Sequence, residues 1–179
     1  SKNIKTATIL VSSFCAQLIN RAKDMQTPII NKEAQNWLSN AAEFISRARG
    51  KAITENSKFT NEKNEEIAYY EITDRQIEEP WRALLQLRGF ASALAVTRGK
   101  DQVTLQECET LRTPVQSTAP VQRAEVMIAL INEKGLSADQ ISKKVGKSSK
   151  QVRRDLMELE ALGLVIKYKD PDRPLATVP

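Results

Sequence analysis

Histidine is absent from the 179 residues, and cysteine occurs only twice, at Cys15 and Cys108. Without histidine there can be no Ser-His-Asp or Cys-His nucleophilic arrangement, no histidine metal cluster and no histidine general base. Two cysteines are too few for a cysteine-only structural zinc site, so no metal is expected. Both fall in apolar, helix-like contexts far apart in sequence, and both are expected to be buried free thiols in a reducing cytoplasm. Glycine is scarce too. Gly50, Gly89, Gly99, Gly135, Gly146 and Gly163 are the full set, too widely spaced for the clustered turns of a P-loop or a dinucleotide fold. No apolar run approaches the roughly 18 residues of a spanning helix. The stretch Ala7 to Val11 ends at Ser12 and Ser13, too short and too polar for a signal peptide. The carboxylate pairs Glu65/Glu66 and Glu78/Glu79 are adjacent, which on a helix sets their members about 100° apart and suits surface charge better than acid-base work. The chain is therefore expected to be no enzyme by itself and to hold no cofactor of its own. Its start at Ser1 is expected to reflect processing or excision from a longer protein.

What is present is ordinary globular material, 41% hydrophobic and 27% charged with a net charge of +5, enough for one to two domains. Helical spacing of Ile4, Ala7, Val11, Phe14, Leu18 and Ala22 predicts an amphipathic helix over 4–25, broken at Thr27-Pro28. Asn31 is a candidate N-cap for a second helix with Ala34, Trp37, Leu38, Ala41, Phe44, Ile45 and Ala48 on one face, stopping at Gly50. Residues 51–66 are polar and aperiodic and are expected to form a solvated loop. A short strand is expected at Ile67–Ile72. Thr73 and Gln76 have capping-box spacing for a long helix through Pro80 to about Arg98. Its apolar residues, among them Trp81, Leu85, Phe90 and Ala91, are too widely spread for a surface stripe, so it is expected to be a central helix. Thr104 and Glu107 cap a short helix to Leu111. Thr113–Pro120, with two prolines among small polar residues, is expected as the domain boundary.

Beyond it, Val121–Ile131 predicts a helix stopping at Gly135. Ser137 with Gln140, and Ser148 with Gln151, open two more, ended by Gly146 and Gly163. Leu164–Lys169 is expected as a strand, Asp170–Arg173 as a turn and Leu175–Val178 as a return strand. Between residues 137 and 155 six basic residues face two acidic ones, so most of the net charge is concentrated there, as phosphate contact requires.

Three short helices followed by a hairpin, with the run Leu136–Val165 at their centre, resemble the winged helix-turn-helix family of DNA-binding domains. The likeness spans 120–179. It implies that the third helix enters the major groove of duplex DNA, with Val152, Leu156 and Leu159 pointing inward. Lys143, Lys144 and Lys147 would then contact the phosphate backbone, and Arg153 or Arg154 the base edges. Ser148, Ser149 and Lys150 would belong to the same surface, with Lys167, Lys169 and Arg173 on the wing. The run Ile72–Cys108 is similar to the helical lid of AAA+ ATPases of the helicase-like or origin-binding type. That likeness implies a phosphate-sensing arginine, Arg82 or, failing it, Arg75, acting with ATP only where an upstream ATPase core exists. The Walker motifs are absent from this chain. The expected architecture is mainly α: a lid-like helical domain over 1–113, a linker over 114–119 and the winged helix-turn-helix over 120–179. Two further readings stay open: a transcriptional regulator whose helical domain dimerises or senses a ligand, and a protein-docking winged helix.

Overall fold

A computed structural model describes residues 12–17, 19–20, 27–60 and 66–167. It is mainly helical, with one antiparallel hairpin. The elements in chain order are β1 (Ile29–Ile30), α1 (Lys32–Arg49), β2 (Lys51–Thr60), β3 (Glu66–Gln76), α2 (Trp81–Thr97), β4 (Gln102–Val103), α3 (Leu105–Thr110), α4 (Arg112–Gln116), α5 (Val121–Asn132), α6 (Ala138–Val145) and α7 (Ser149–Ala161). Residues 12–17 and 19–20 are helical, within the helix expected over 4–25; the rest of that segment lies outside the described residues. The chain forms two compact units, Ser1–Glu43 with Pro80–Val115, and Phe44–Glu79 with Gln116–Pro179. The divide at Val115/Gln116 falls within the expected boundary stretch, but Phe44–Glu79 groups with the C-terminal residues.

In the first unit, Asn31 caps α1 as its sequence suggests, its side-chain oxygen accepting from the Ala34 amide at 2.8 Å. β1 and β4 pair in parallel, Ile29 with Gln102 and Ile30 with Val103. Helix α2 is not the central helix its composition predicts. It buries the four-residue stripe Ala83, Leu87, Ala91 and Ala95, mostly small side chains that admit close neighbours, and leaves Trp81, Leu85 and Phe90 more than half exposed. The Thr104–Glu107 capping box is formed. Glu107 is fully buried, yet its carboxylate accepts from Arg98 at 2.8 Å, Lys100 at 2.9 Å and both the amide and hydroxyl of Thr104 at 3.0 and 2.8 Å. Burial alone would raise its pKa, but these four donors outweigh it and hold the carboxyl well below the usual range. The Thr113–Pro120 stretch is not free of structure. Pro114 sits in the first turn of α4, where no helical amide bond is required of it, and Val115 and Ala119 are buried.

Cys108 is buried, its sulfur 3.9 Å from the Ala34 carbonyl, and burial followed by the nearby glutamates pushes its thiol up to about 11. Cys15 is exposed, contrary to its expected burial. A disulfide-exchange reagent at pH 8 should therefore label one thiol per native chain and two in denaturant, with Cys15→Ser abolishing the native signal. Two thiols reacting at equal rates in the native protein would contradict the burial of Cys108.

The second unit contains the main departure from the sequence reading. Residues 51–60, expected as a loop, are β2, paired in antiparallel with β3 from Lys51↔Gln76 to Thr60↔Glu66. Thr73 and Gln76, expected to open a helix, lie in β3 instead. The register shifts between Ile53 and Thr54, whose partners are Asp74 and Ile72, so Thr73 is the extra residue of a bulge. Its hydroxyl bonds the Ile53 carbonyl at 3.4 Å. Strand pairing wins because Ile53, Thr54, Ile72 and Thr73 are β-branched and the helix can begin later, after Pro80.

Of the three C-terminal helices, α5 ends at Asn132, ahead of the Gly135 expected to stop it, while α6 and α7 follow their predicted caps. Ser137 and Ser148 accept from the amides of Gln140 and Gln151, and Gly146 and Gly163 take positive φ of 69° and 70° at the helix ends. Their shared core is Val126, Met127, Ile141, Val152 and Leu159, joined by Ala48 and Ala119. Strand β3 packs on α7. Leu164–Lys167, expected as the start of a wing strand, is not in a strand: the Leu164 amide turns back to the Leu159 carbonyl at 2.9 Å, closing the glycine C-cap. The remainder of the expected wing, with Lys169 and Arg173, lies outside the described residues.

Candidate nucleic-acid interface

Helix α6 ends at Gly146, and α7 begins three residues later behind the Ser148 cap. This tight connection is possible because glycine takes the left-handed conformation that stops α6. The inner side of α7 carries Val152, Leu159 and the adjoining Leu162 into the core, along with Asp155 at 2% exposure. The side chains left outside include most of the cations expected at a groove.

Those cations are not equivalent. Lys143 and Lys150 are exposed, and neither enters a hydrogen bond or ion pair with a described residue. Arg153 is exposed and meets Asp139 only at 3.8 Å, with both side chains about two-thirds in solvent, so water and salt screen that pair heavily. Lys144 pairs with Glu133 at 2.5 Å. Lys147 is largely consumed by the fold. Its ammonium lies 3.3 Å from Asp155 and 3.5 Å from Glu125 and also donates to the Gln122 carbonyl, which ties the turn to both α5 and α7. Ser148 is occupied as the cap and Ser149 is half-buried. Lys167 is exposed beyond α7.

Arg154 does not stand free. Its guanidinium lies 5.0 Å from the centre of the Tyr70 ring, within cation–π range. The Tyr70 hydroxyl in turn donates to Glu158 at 2.8 Å. Burial raises the Tyr70 pKa, opposed by its bond with Thr54 and reinforced by the charge of Glu158. Arg123, buried in α5, faces Glu158 at 3.7 Å and donates to the Gly50 carbonyl at 2.8 Å. These residues hold the hairpin to the helices. They escape sequence inspection because their partners are 35 to 88 positions apart.

The two arginines expected at a nucleotide also separate. Arg75 donates to the Ala161 carbonyl at 2.9 Å, at the C-terminal end of α7, where a cation complements the helix dipole. Arg82 is exposed on α2 without a hydrogen bond or ion pair among the described residues. It therefore does not pair with Glu78 or Glu79. Among the described residues no group of three or more Cys, Asp or Glu could hold a metal ion, and no helix is long and apolar enough to cross a membrane. No protein-family model, curated protein or solved structure matches the chain.

Proposed function

We propose that the chain binds duplex DNA, with α6 and α7 as a helix-turn-helix and the N-terminal part of α7 entering the major groove. The observation that carries this reading is the segregation along α7. Apolar residues and Asp155 fill its inner side, while Lys150 and Arg153, with Lys143 on α6, keep their charges in solvent. Cations that the fold does not use are the ones available to displace counterions from phosphate. Lys147 belongs to the scaffold in this reading, and Arg154 supports the hairpin.

The test is the affinity for a fluorescently labelled duplex measured across a salt series. The triple variant Lys143→Ala, Lys150→Ala, Arg153→Ala should bind roughly tenfold or more weakly at low salt. It should also flatten the dependence of log K on log salt by about 0.9 for each lost phosphate contact. Unchanged affinity and slope would remove the interface from these helices and favour a docking module for another protein.

The lid-like reading of α2 and its neighbours stands beside this one. It is favoured by Arg82, the candidate arginine without a hydrogen bond or ion pair among the described residues; Arg75 is already spent on a helix end. A nucleotide contact by Arg82 would require an ATPase core supplied by another part of a longer protein. In such a protein, loss of ATPase activity in Arg82→Ala but not in Arg75→Ala would support it, and equal activity of both variants would sink it.

A further inference from the structure

Residue Gln151 lies in the first turn of α7, between the exposed Lys150 and the buried Val152. Two restraints fix it. Its backbone amide donates to the Ser148 hydroxyl at 3.2 Å, and its side-chain Nε2 donates to Asp155 Oδ1 at 2.9 Å. Asp155 is itself held, buried at 2% exposure with Lys147 on its other oxygen at 3.3 Å. An ionised carboxylate only accepts hydrogen bonds, so the amide must turn its nitrogen toward Asp155 and its oxygen away. The bond uses one of the two Nε2 hydrogens. The other, together with Oε1, leaves an adjacent donor and acceptor on an exposed side chain.

Gln151 lies in the first turn of α7, the end that a recognition helix presents to base edges. An adjacent amide donor and acceptor complement adenine in the major groove, where N7 accepts and N6 donates. We propose that Gln151 is a base-reading residue that selects an A·T pair, and that Asp155 is the positioning residue that orders its amide in advance. The inference rests on the groove-binding reading of α7. Fixing the amide beforehand removes the flip that would otherwise present the opposite pattern, and it lowers the rotamer entropy lost on contact. Lys147 takes part indirectly, holding the carboxylate that holds the glutamine.

The experiment selects duplexes from a randomised library with the full chain, then titrates the selected duplex and its single-pair substitutions at fixed salt. The wild type should prefer adenine at one position of the selected site, with replacement of that A·T pair by G·C weakening binding roughly tenfold or more. Gln151→Ala should lose the discrimination at that position alone and keep the salt dependence of the wild type, because the phosphate contacts are untouched. An adenine preference that survives in Gln151→Ala, or duplex binding that is equal for all sequences, would overturn the assignment and reduce the Gln151–Asp155 bond to an ordinary helix-stabilising pair. Failure of the wild type to retain any duplex at low salt would overturn it too, and would identify the groove reading of α7 as the fault.

Discussion

Replacing Glu107 with alanine is expected to lower stability by about 2–3 kcal/mol. The carboxylate is wholly buried and accepts four hydrogen bonds, so its loss removes a capping box, which contributes about 1 kcal/mol, and two charge-assisted bonds. The cost stays below that of an orphaned buried charge because Arg98 and Lys100 are each one-third exposed and can turn to water. Glu107→Gln should cost less, since an amide oxygen still accepts from Thr104. Because the carboxyl's pKa is depressed in the fold, its contribution is fully present above the unfolded glutamate value of about 4.5. It declines as pH falls below that value toward the folded one. Urea midpoints of wild type and Glu107→Gln should thus differ by a constant amount between pH 6 and 7 and converge below about pH 4.5. A gap that persists unchanged to pH 3 would mean that the ion pairs contribute nothing.

Gly50→Ala should cost about 3 kcal/mol. An added Cβ would lie 2.7 Å from Leu162 Cδ2, 2.9 Å from the Arg47 carbonyl oxygen and 3.2 Å from that of Gln76. The leucine can move, but two backbone oxygens in a helix end and a strand end cannot move without losing their hydrogen bonds. The Gly50 carbonyl also accepts from the buried Arg123, so a shift here disturbs a charge with few alternatives. Gly89→Ala is the matching control. Nothing lies within 4 Å of its Cβ position, and at that site in a helix alanine should stabilise by about 0.5–1 kcal/mol. Denaturation curves that move in the same direction for both variants would contradict the close approach at Gly50.

The parts legible in the sequence are those decided within a few residues. Asn31, Ser137 and Ser148 cap the helices that follow them, and Gly146 and Gly163 end two of those helices, because a cap is an arrangement of neighbours. The hairpin was hidden for the opposite reason. Over residues 51–58 the side chains are half-buried or exposed, so β2 shows little apolar alternation, and the partner that makes it a strand begins only at Glu66. Composition also misplaced Trp81, Leu85 and Phe90. Large apolar side chains suggested a buried helix, whereas the alanines carry its inner face. At the candidate interface the kinds of residue were readable but not their use. Lys147 and Lys150 look alike in sequence; only the fold shows that one is bound to Asp155 and the other faces water. Gln151 and Asp155 stand four apart, a spacing that by itself could have signalled their bond.

The grouping of Phe44–Glu79 with the C-terminal helices has a topological consequence. The chain crosses between its two units at Glu43/Phe44, Glu79/Pro80 and Val115/Gln116, so neither unit is one uninterrupted stretch of sequence. A cut at residue 116, which looks like a clean severance along the chain, would strip α7 of Tyr70 and Arg75 and deprive Arg123 of the Gly50 carbonyl. The helices that carry the candidate interface are in this sense a composite, completed by a segment contributed from the middle of the other half.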